Sequence, residues 1–258
     1  MPYAEVNDIR MFYEETGTGQ PLILMHGGTG GIDAMTGWPR LTGPLARRYH
    51  VVSVEHRGHG RTNNPANSLS YALIADDMAK FIEVLGLGPA HLAGVSDGAV
   101  VGLALAMARP DLLRSLVCIG AHVYVDDQLA SSIAFYDPDH LERNHPAFVE
   151  IFQARHDPNA YPGYWRDLVR MVRSTAESEL VWTRQDLAGV LTPVLLVYGE
   201  NDAFVSRRQM LDLRDWLPNS ELLILNRAGQ DGLTNHIPQH TRSNVVERVM
   251  LGFLARHS

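Results

Sequence analysis

His91-Leu92-Ala93-Gly94-Val95-Ser96-Asp97-Gly98-Ala99-Val100-Val101-Gly102 decides how this chain folds. It opens as a short apolar run, His91–Val95, that reads as a buried strand. It continues as Ala99–Ala108, which reads as a helix stopping at Arg109-Pro110, because a residue before proline is pushed away from helical angles. Gly94-Val95-Ser96-Asp97-Gly98 therefore has to turn the chain sharply from strand to helix. A serine at such a turn takes strained backbone angles, and side chains in place of the flanking glycines would clash. The turn exposes the Ser96 hydroxyl at the positive N-terminal end of a helix. Ser96 is the candidate nucleophile.

Strands and helices alternate outward from this point. Tyr3–Asn7 and Ile9–Glu15 read as strands joined by a turn at Asn7-Asp8. Pro21–Met25, His50–Glu55, Leu113–Ile119, Pro193–Tyr198 and Glu221–Leu225 are short apolar runs of the kind that fill a parallel sheet. Helices are expected over Trp38–Arg48, Tyr71–Leu85, Ser206–Trp216 and Thr241–Ala255. The second, Tyr71–Leu85, carries Leu73, Ile74, Met78, Phe81, Ile82 and Leu85 on one face. This alternation predicts an α/β fold, a mostly parallel central sheet with helices on both faces. The exception is residues 122–183, which hold short helical patterns and many aromatics. They read as a helical cap between two parts of one core, residues 1–121 and 184–258. Tyr124, Phe135, Tyr136 and Trp165 are the candidates there for substrate contact, set against the alternative that such aromatics form the cap's own core.

The totals exclude several classes. With 258 residues the chain can bury one large core, and apolar residues make up 45%. A net charge of −7 without a basic cluster argues against a nucleic-acid partner. One cysteine, Cys118, permits no internal disulfide and reads as a small buried hydrophobe. No signal segment is read at the start, and the longest apolar run, near Ala99–Ala108, is too short for a membrane span. A cytoplasmic protein with no membrane partner is expected. Self-association, as a homo-oligomer, stays open. The histidines show no metal-ligand spacing, no phosphate loop or dinucleotide fingerprint appears, and no cofactor is expected.

A serine nucleophile needs an oxyanion hole, two N–H groups for the charge that develops on the attacked carbonyl. One is the N–H after the nucleophile, on Asp97. The second is expected from the loop after Pro21–Met25, at His26-Gly27-Gly28, with Gly28 as the donor. His26 reads as part of that loop rather than as a base, and His26 and Gly27 are expected to border the substrate.

His26-Gly27-Gly28, Arg57-Gly58-His59-Gly60, Gly94-Val95-Ser96-Asp97-Gly98 and Gly199-Glu200-Asn201-Asp202, in this order and each after a strand, resemble the α/β-hydrolase superfamily over nearly the whole chain. The resemblance implies a hydrolase acting through an acyl-enzyme on a carboxylic ester or lactone, a small-molecule substrate under the cap. It implies Asp202 as the acid, with Glu200 as runner-up, and a histidine after a glycine in the loop following Glu221–Leu225. Gln230 occupies that position, at a spacing from Asp202 typical of the family. Glutamine cannot take a proton from serine, so an impaired enzyme is expected. Three readings stay open: a chain altered from a histidine-bearing parent, another histidine (His236 or His240) serving as base, or a non-hydrolytic binder on the same fold. Glu55-His56-Arg57-Gly58-His59-Gly60 departs from the commoner Asp at its start and reads as a network fixing its loop. Ser96-Asp97-Gly98 and Gly120-Ala121-His122-Val123-Tyr124-Val125 also resemble valacyclovir-hydrolase-like (biphenyl-hydrolase-like) esterases. There an acid beside the nucleophile recognises a substrate amino group, which implies a cationic ester at Asp97. The other reading of Asp97 is that it favours the helix N-terminus.

Overall fold

The computed structural model describes residues 2–258. Eight strands form one sheet: β1 (Tyr3–Val6), β2 (Ile9–Thr16), β3 (Gln20–Met25), β4 (Tyr49–Val54), β5 (Ala90–Val95), β6 (Leu113–Ile119), β7 (Val194–Gly199) and β8 (Ser220–Leu225). Their order is β1-β2-β4-β3-β5-β6-β7-β8. The pairs β1–β2 and β2–β4 are antiparallel, and every later pair is parallel. Strands β5 and β7 are buried at every residue, because helices cover both faces.

On one face lie α2 (Tyr71–Leu85), α3 (Asp97–Ala108) and α9 (Arg207–Trp216), which share one apolar core. Ser70 starts α2 by accepting the Leu73 N–H at 2.9 Å, and Gly86 ends it in the left-handed conformation. Helix α3 is apolar all round and buried from Gly98 to Ala106, so it lies in the middle of its layer. On the other face α1 (Thr42–Ala46) and α12 (Ser243–Arg256) share a second core with Trp38, Leu41 and the opposite side of the sheet.

The helix expected over Trp38–Arg48 is shorter than its apolar pattern. Pro39 disfavours helical angles at Trp38, and Pro44 has no N–H for the ladder, so Thr42–Ala46 alone is helical. The closing helix begins at Ser243. Two short helices, α10 (Gly232–His236) and α11 (Pro238–Thr241), occupy the chain before it. Between β6 and β7 come α4 (Asp127–Ile133), α5 (Pro138–Asn144), α6 (Pro146–His156) and α7 (Tyr164–Glu179), with α8 (Arg184–Leu187) leading back to the sheet. The ends of this helical segment are tied where Val125 and Trp182 N–H donate to Leu180 and Val123 carbonyls at 3.3 and 3.0 Å. No helix among the described residues is long and apolar enough to cross a membrane.

The strand order reverses around β3: β4 pairs on one side of it and β5 on the other. In open α/β sheets such a switch point leaves a crevice at the carboxyl ends of the strands. His26-Gly27-Gly28 leaves β3 there, and Ser96 leaves β5.

Arg57, just past β4, is fully buried and donates to both oxygens of the equally buried Asp77 on α2, at 2.7 and 2.9 Å, and to Asp8 at 2.7 Å. This fork fastens the loop after β4 to the helix layer. Asp77→Ala leaves a buried guanidinium short of its partner and is expected to cost about 3–5 kcal/mol in urea unfolding. A loss below about 1 kcal/mol, the size of an exposed pair, would show that the fork does not anchor that loop.

Candidate active site

Ser96 caps α3 at φ 52° and ψ −122°, a region that side chains avoid. The flanking residues explain how it fits. A Cβ on Gly94 would strike the Gly98 carbonyl, and one on Gly98 would come to 2.5 Å from the His26 carbonyl. The elbow is fastened to the next strand, since Ser96 N–H donates to Ile119 O at 2.7 Å.

Across the crevice the loop after β3 is held by its own bonds. Gly27 N–H donates to Thr36 O at 2.9 Å and Gly30 N–H to Gly27 O at 3.1 Å. Among the described residues the N–H groups of Gly28 and Asp97 have no partner. A Cβ on Gly28 would collide with the Asp97 carboxylate, so glycine is required where the two loops meet. The two loops that carry the expected donors thus meet at Gly28 and the Asp97 side chain.

Asp202, expected from the sequence as the acid, lies in the loop after β7. It is buried, with Oδ1 accepting the N–H of Phe204 and Val205 at 2.8 and 3.1 Å. Its partner corrects the reading of Gln230. His236 Nδ1, not residue 230, contacts Asp202, at 2.9 Å from Oδ1 and 2.8 Å from Oδ2. Gln230 is exposed on the loop. Between Gln230 and His236 the chain forms one short helix, α10. Asp231 accepts the Thr234 N–H at 2.8 Å and starts α10, whose last residue is His236. Of the two downstream histidines held open, the structure brings His236 to the acid. His240 and Glu200 make no contact with this pair.

The His236 ring is 3% exposed, abuts Gly120 at the end of β6, and packs 4.5 Å from the Phe204 ring. Two carboxylate oxygens at Nδ1 assign the proton to that nitrogen and leave Nε2 with a lone pair. Nε2 is buried and has no partner.

A narrow cavity of about 30 Å³ is lined by Ser96, Asp97, His122, Leu129, Ile133, Tyr136, Val172 and Phe204, among others. Tyr136 and Phe204 also line a larger cavity of about 310 Å³, with Gly28, Phe135, Phe148 and Phe152. Of the aromatics expected to contact substrate, Phe135 and Tyr136 line this cavity. The other aromatic candidates do not. Trp165 is buried in a small core of the helical segment with Leu141, Val149, Phe152 and Val169. Tyr124 turns away, its hydroxyl donating to Asp212 at 2.7 Å. His26 spends both nitrogens inside the protein, on Gly27 O at 2.7 Å and on the His56 N–H at 3.2 Å. Gly27 donates its N–H to Thr36 and lies beside Ser96, where an added Cβ would come to 3.1 Å from the Ser96 Cβ. Leu129, Ile133, Val172 and Phe204 are cavity residues that no local sequence signal marked.

Asp97 projects into the same region. Tyr71 donates to its Oδ1 at 2.6 Å, and His122 Nε2 lies 3.6 Å away. Burial opposes its ionisation, but His122 and the Tyr71 hydroxyl outweigh burial and hold its pKa below the ordinary carboxylate value. Behind Gly28, His26 stacks on His56 at 4.2 Å, with His59 at 5.0 Å and His156 beyond. The polar frame around them includes Glu55, which accepts from the Arg61 N–H at 2.7 Å and from its guanidinium at 2.8 Å. No group of three or more His, Cys, Asp or Glu that could hold a metal occurs among the described residues.

A family model described as the alpha/beta hydrolase family matches residues 22–247. A curated protein named putative carbamate hydrolase RutD, from Azorhizobium caulinodans, is 28% identical, with 98% of each chain covered. The solved meta-cleavage product hydrolase from Pseudomonas fluorescens IP01 superposes with a TM-score of 0.80 at 21% identity, covering 100% of this chain and 98% of that one. The enol-lactonase from Burkholderia xenovorans LB400 gives 0.75 at 18% identity, covering 98% of this chain and 100% of that one.

The histidine group sets a pH limit on stability. Burial pushes His26 down to about 4, His59 and His156 to about 3, and His56 well below its usual value. These rings are neutral when folded and take up protons near pH ~6.5 when unfolded. Their contribution is complete above that pH and is lost as pH falls from about 6.5 toward 3, because the unfolded state binds more protons. Unfolding free energy is expected to drop by a few kcal/mol, in order of magnitude, between pH ~7 and ~5. A flat urea midpoint across that interval would contradict the burial of neutral rings.

Proposed function

The chain belongs to the alpha/beta hydrolase family, and within it we propose that it is a working serine hydrolase of carboxylic esters or lactones, with Ser96, His236 and Asp202 as its triad. The observation that carries this reading is the buried His236–Asp202 contact with an unpartnered Nε2. The impairment expected from Gln230 has no basis once the base is His236.

In the proposed cycle Ser96 Oγ attacks the substrate carbonyl while His236 Nε2 takes its proton. Asp202 orients the imidazole and stabilises its charged form. The N–H groups of Gly28 and Asp97 hold the oxyanion. His236 then returns the proton to the leaving alcohol. Water, deprotonated by the same nitrogen, releases the acyl group and restores Ser96. The helical segment acts as the cap. The cavity of about 310 Å³ lined by Phe135, Phe148 and Phe152 supports a bulky apolar acyl or alcohol part.

A second, narrower reading is supported by Asp97. An ionised carboxylate beside the nucleophile, bounded by Tyr71 and His122, suits an ester whose acyl part carries an ammonium group. Asp97→Asn would then raise KM for aminoacyl esters and leave neutral esters unaffected.

The test is hydrolysis of a short-chain nitrophenyl ester, followed by a panel of bulky esters, lactones and amides. Ser96→Ala and His236→Ala are each expected to lower kcat by roughly a thousandfold or more. Gln230→Ala and Gln230→His should stay within about threefold, as for a surface change. A gain of orders of magnitude in Gln230→His would return the base to position 230. A preference for amides would overturn the substrate class. Ligand binding without turnover in the unaltered chain would make it a non-hydrolytic binder.

A further inference from the structure

The last residue of α6, His156, is 1% exposed and touches neither Ser96 nor Asp202, yet both its nitrogens are engaged by the core. Nδ1 accepts the Gly60 N–H at 3.0 Å, and Nε2 donates to the Thr29 carbonyl at 3.1 Å. A backbone N–H only donates and a carbonyl only accepts, so these partners select the neutral ring with its proton on Nε2. One side chain from the helical segment thus joins two separate core loops, the one after β4 and the one after β3.

The second of those contacts falls on a strained residue. Thr29 is buried and sits at φ 53°. That is left-handed space, where a β-branched residue is an outlier. Such a conformation costs on the order of 1–3 kcal/mol and persists only where its surroundings over-determine it. The turn is held from one side, where Gly27 O accepts from the Gly30 N–H at 3.1 Å and from His26 Nδ1 at 2.7 Å. The Thr29 hydroxyl donates back to Gly28 O at 2.7 Å, and His156 takes the Thr29 carbonyl. The peptide group joining Gly28 to Thr29 is therefore pinned at one carbonyl by Thr29 itself, and the next carbonyl is pinned by His156. The Gly28 N–H has no partner among the described residues; it shares a peptide group with the Gly27 carbonyl, which accepts from the Gly30 N–H at 3.1 Å, and the Gly30 N–H in turn shares a peptide group with the Thr29 carbonyl that His156 holds. The neighbouring residue reinforces the seat: the Arg155 side chain lies against Gly31 and donates to Asp33 at 3.3 Å.

We propose that His156 is a positioning residue: by holding the Thr29 carbonyl it keeps the Gly28 N–H aimed at the oxyanion, so that the oxyanion hole is complete only when the cap is seated. The inference rests on the serine-hydrolase reading above. It makes the cap more than a lid that selects substrate. Withdrawal of α6 frees Thr29 to relax from its left-handed angle, and the donor turns away with it.

The experiment compares His156→Phe, His156→Gln and His156→Asn on the nitrophenyl ester, with thermal unfolding of each. Phenylalanine keeps a flat ring and loses both bonds. Glutamine retains an acceptor and a donor near the original reach. Asparagine keeps an acceptor for Gly60 but falls short of Thr29. For His156→Phe and His156→Asn, kcat is expected to fall about 10- to 100-fold with KM nearly unchanged, part of the full cost of one oxyanion donor. His156→Gln should recover most of the rate. A boronic acid that mimics the oxyanion should lose affinity in step with kcat. Thr29→Gly in the His156→Asn background should restore part of the rate, because glycine adopts φ near 50° without strain. Folded His156→Asn with unaltered kcat and boronate affinity overturns the proposal, as does loss of stability without loss of rate. Where His156→Phe does not fold, the asparagine variant decides. Ser96→Ala separates the two levels: turnover surviving there overturns the serine-hydrolase reading itself.

Discussion

Ser96 is held at a backbone angle that its own side chain resists, and the arrangement of the molecule around it follows from that constraint. The elbow is tolerated because β5 and α3 leave no alternative path: one is buried at every residue, the other is buried along most of its length, and both are fixed in apolar layers. Packing energy spread over the core thereby sustains strain at one residue. The result is a hydroxyl at the mouth of a switch-point crevice, with the free N–H of Asp97 next to it.

The other pieces reach this point from the ends of different strands. Gly28 comes from β3, Asp202 from β7, His236 from beyond β8, and the cavity walls come largely from the segment between β6 and β7. A rigid parallel sheet brings these distant positions within contact, which short-range geometry cannot do. Polar groups are accounted for by the same economy. Arg57 is buried only because Asp77 and Asp8 meet it. The stacked histidines are buried as neutral rings, and backbone groups fix the proton positions of His26 and His156. His236 Nε2 is buried without a partner among the described residues. His56 and His59 also carry unpartnered Nε2 atoms, beside a small cavity of about 20 Å³ that includes Tyr71 and Asp97. The structure supplies no further account of them.

The sequence by itself determined the strand and helix order, the parallel sheet and the turn at Ser96. These depend on local patterns: apolar runs of strand length, helical periodicity, and glycines where a Cβ cannot fit. It also placed Gly28, Asp97 and Asp202 in the segments that follow β3, β5 and β7, because each lies within a few residues of a strand end. Only the tertiary structure decided that His236 meets Asp202, since the loop after β8 has no regular register and α10 lies between Gln230 and the contact. It alone decided which aromatics face the cavity: Phe135 and Tyr136 do, while Trp165 packs inside its own helices and Tyr124 against α9. Phe135, Tyr136 and Tyr124 lie outside the helices, and the apolar face of α7 that holds Trp165 does not itself encode which element covers it. Nor does any local pattern in α6 show that His156 meets Gly60 and Thr29, because hydrogen bonds between residues distant in sequence exist only once the packing of the layers has brought their elements together.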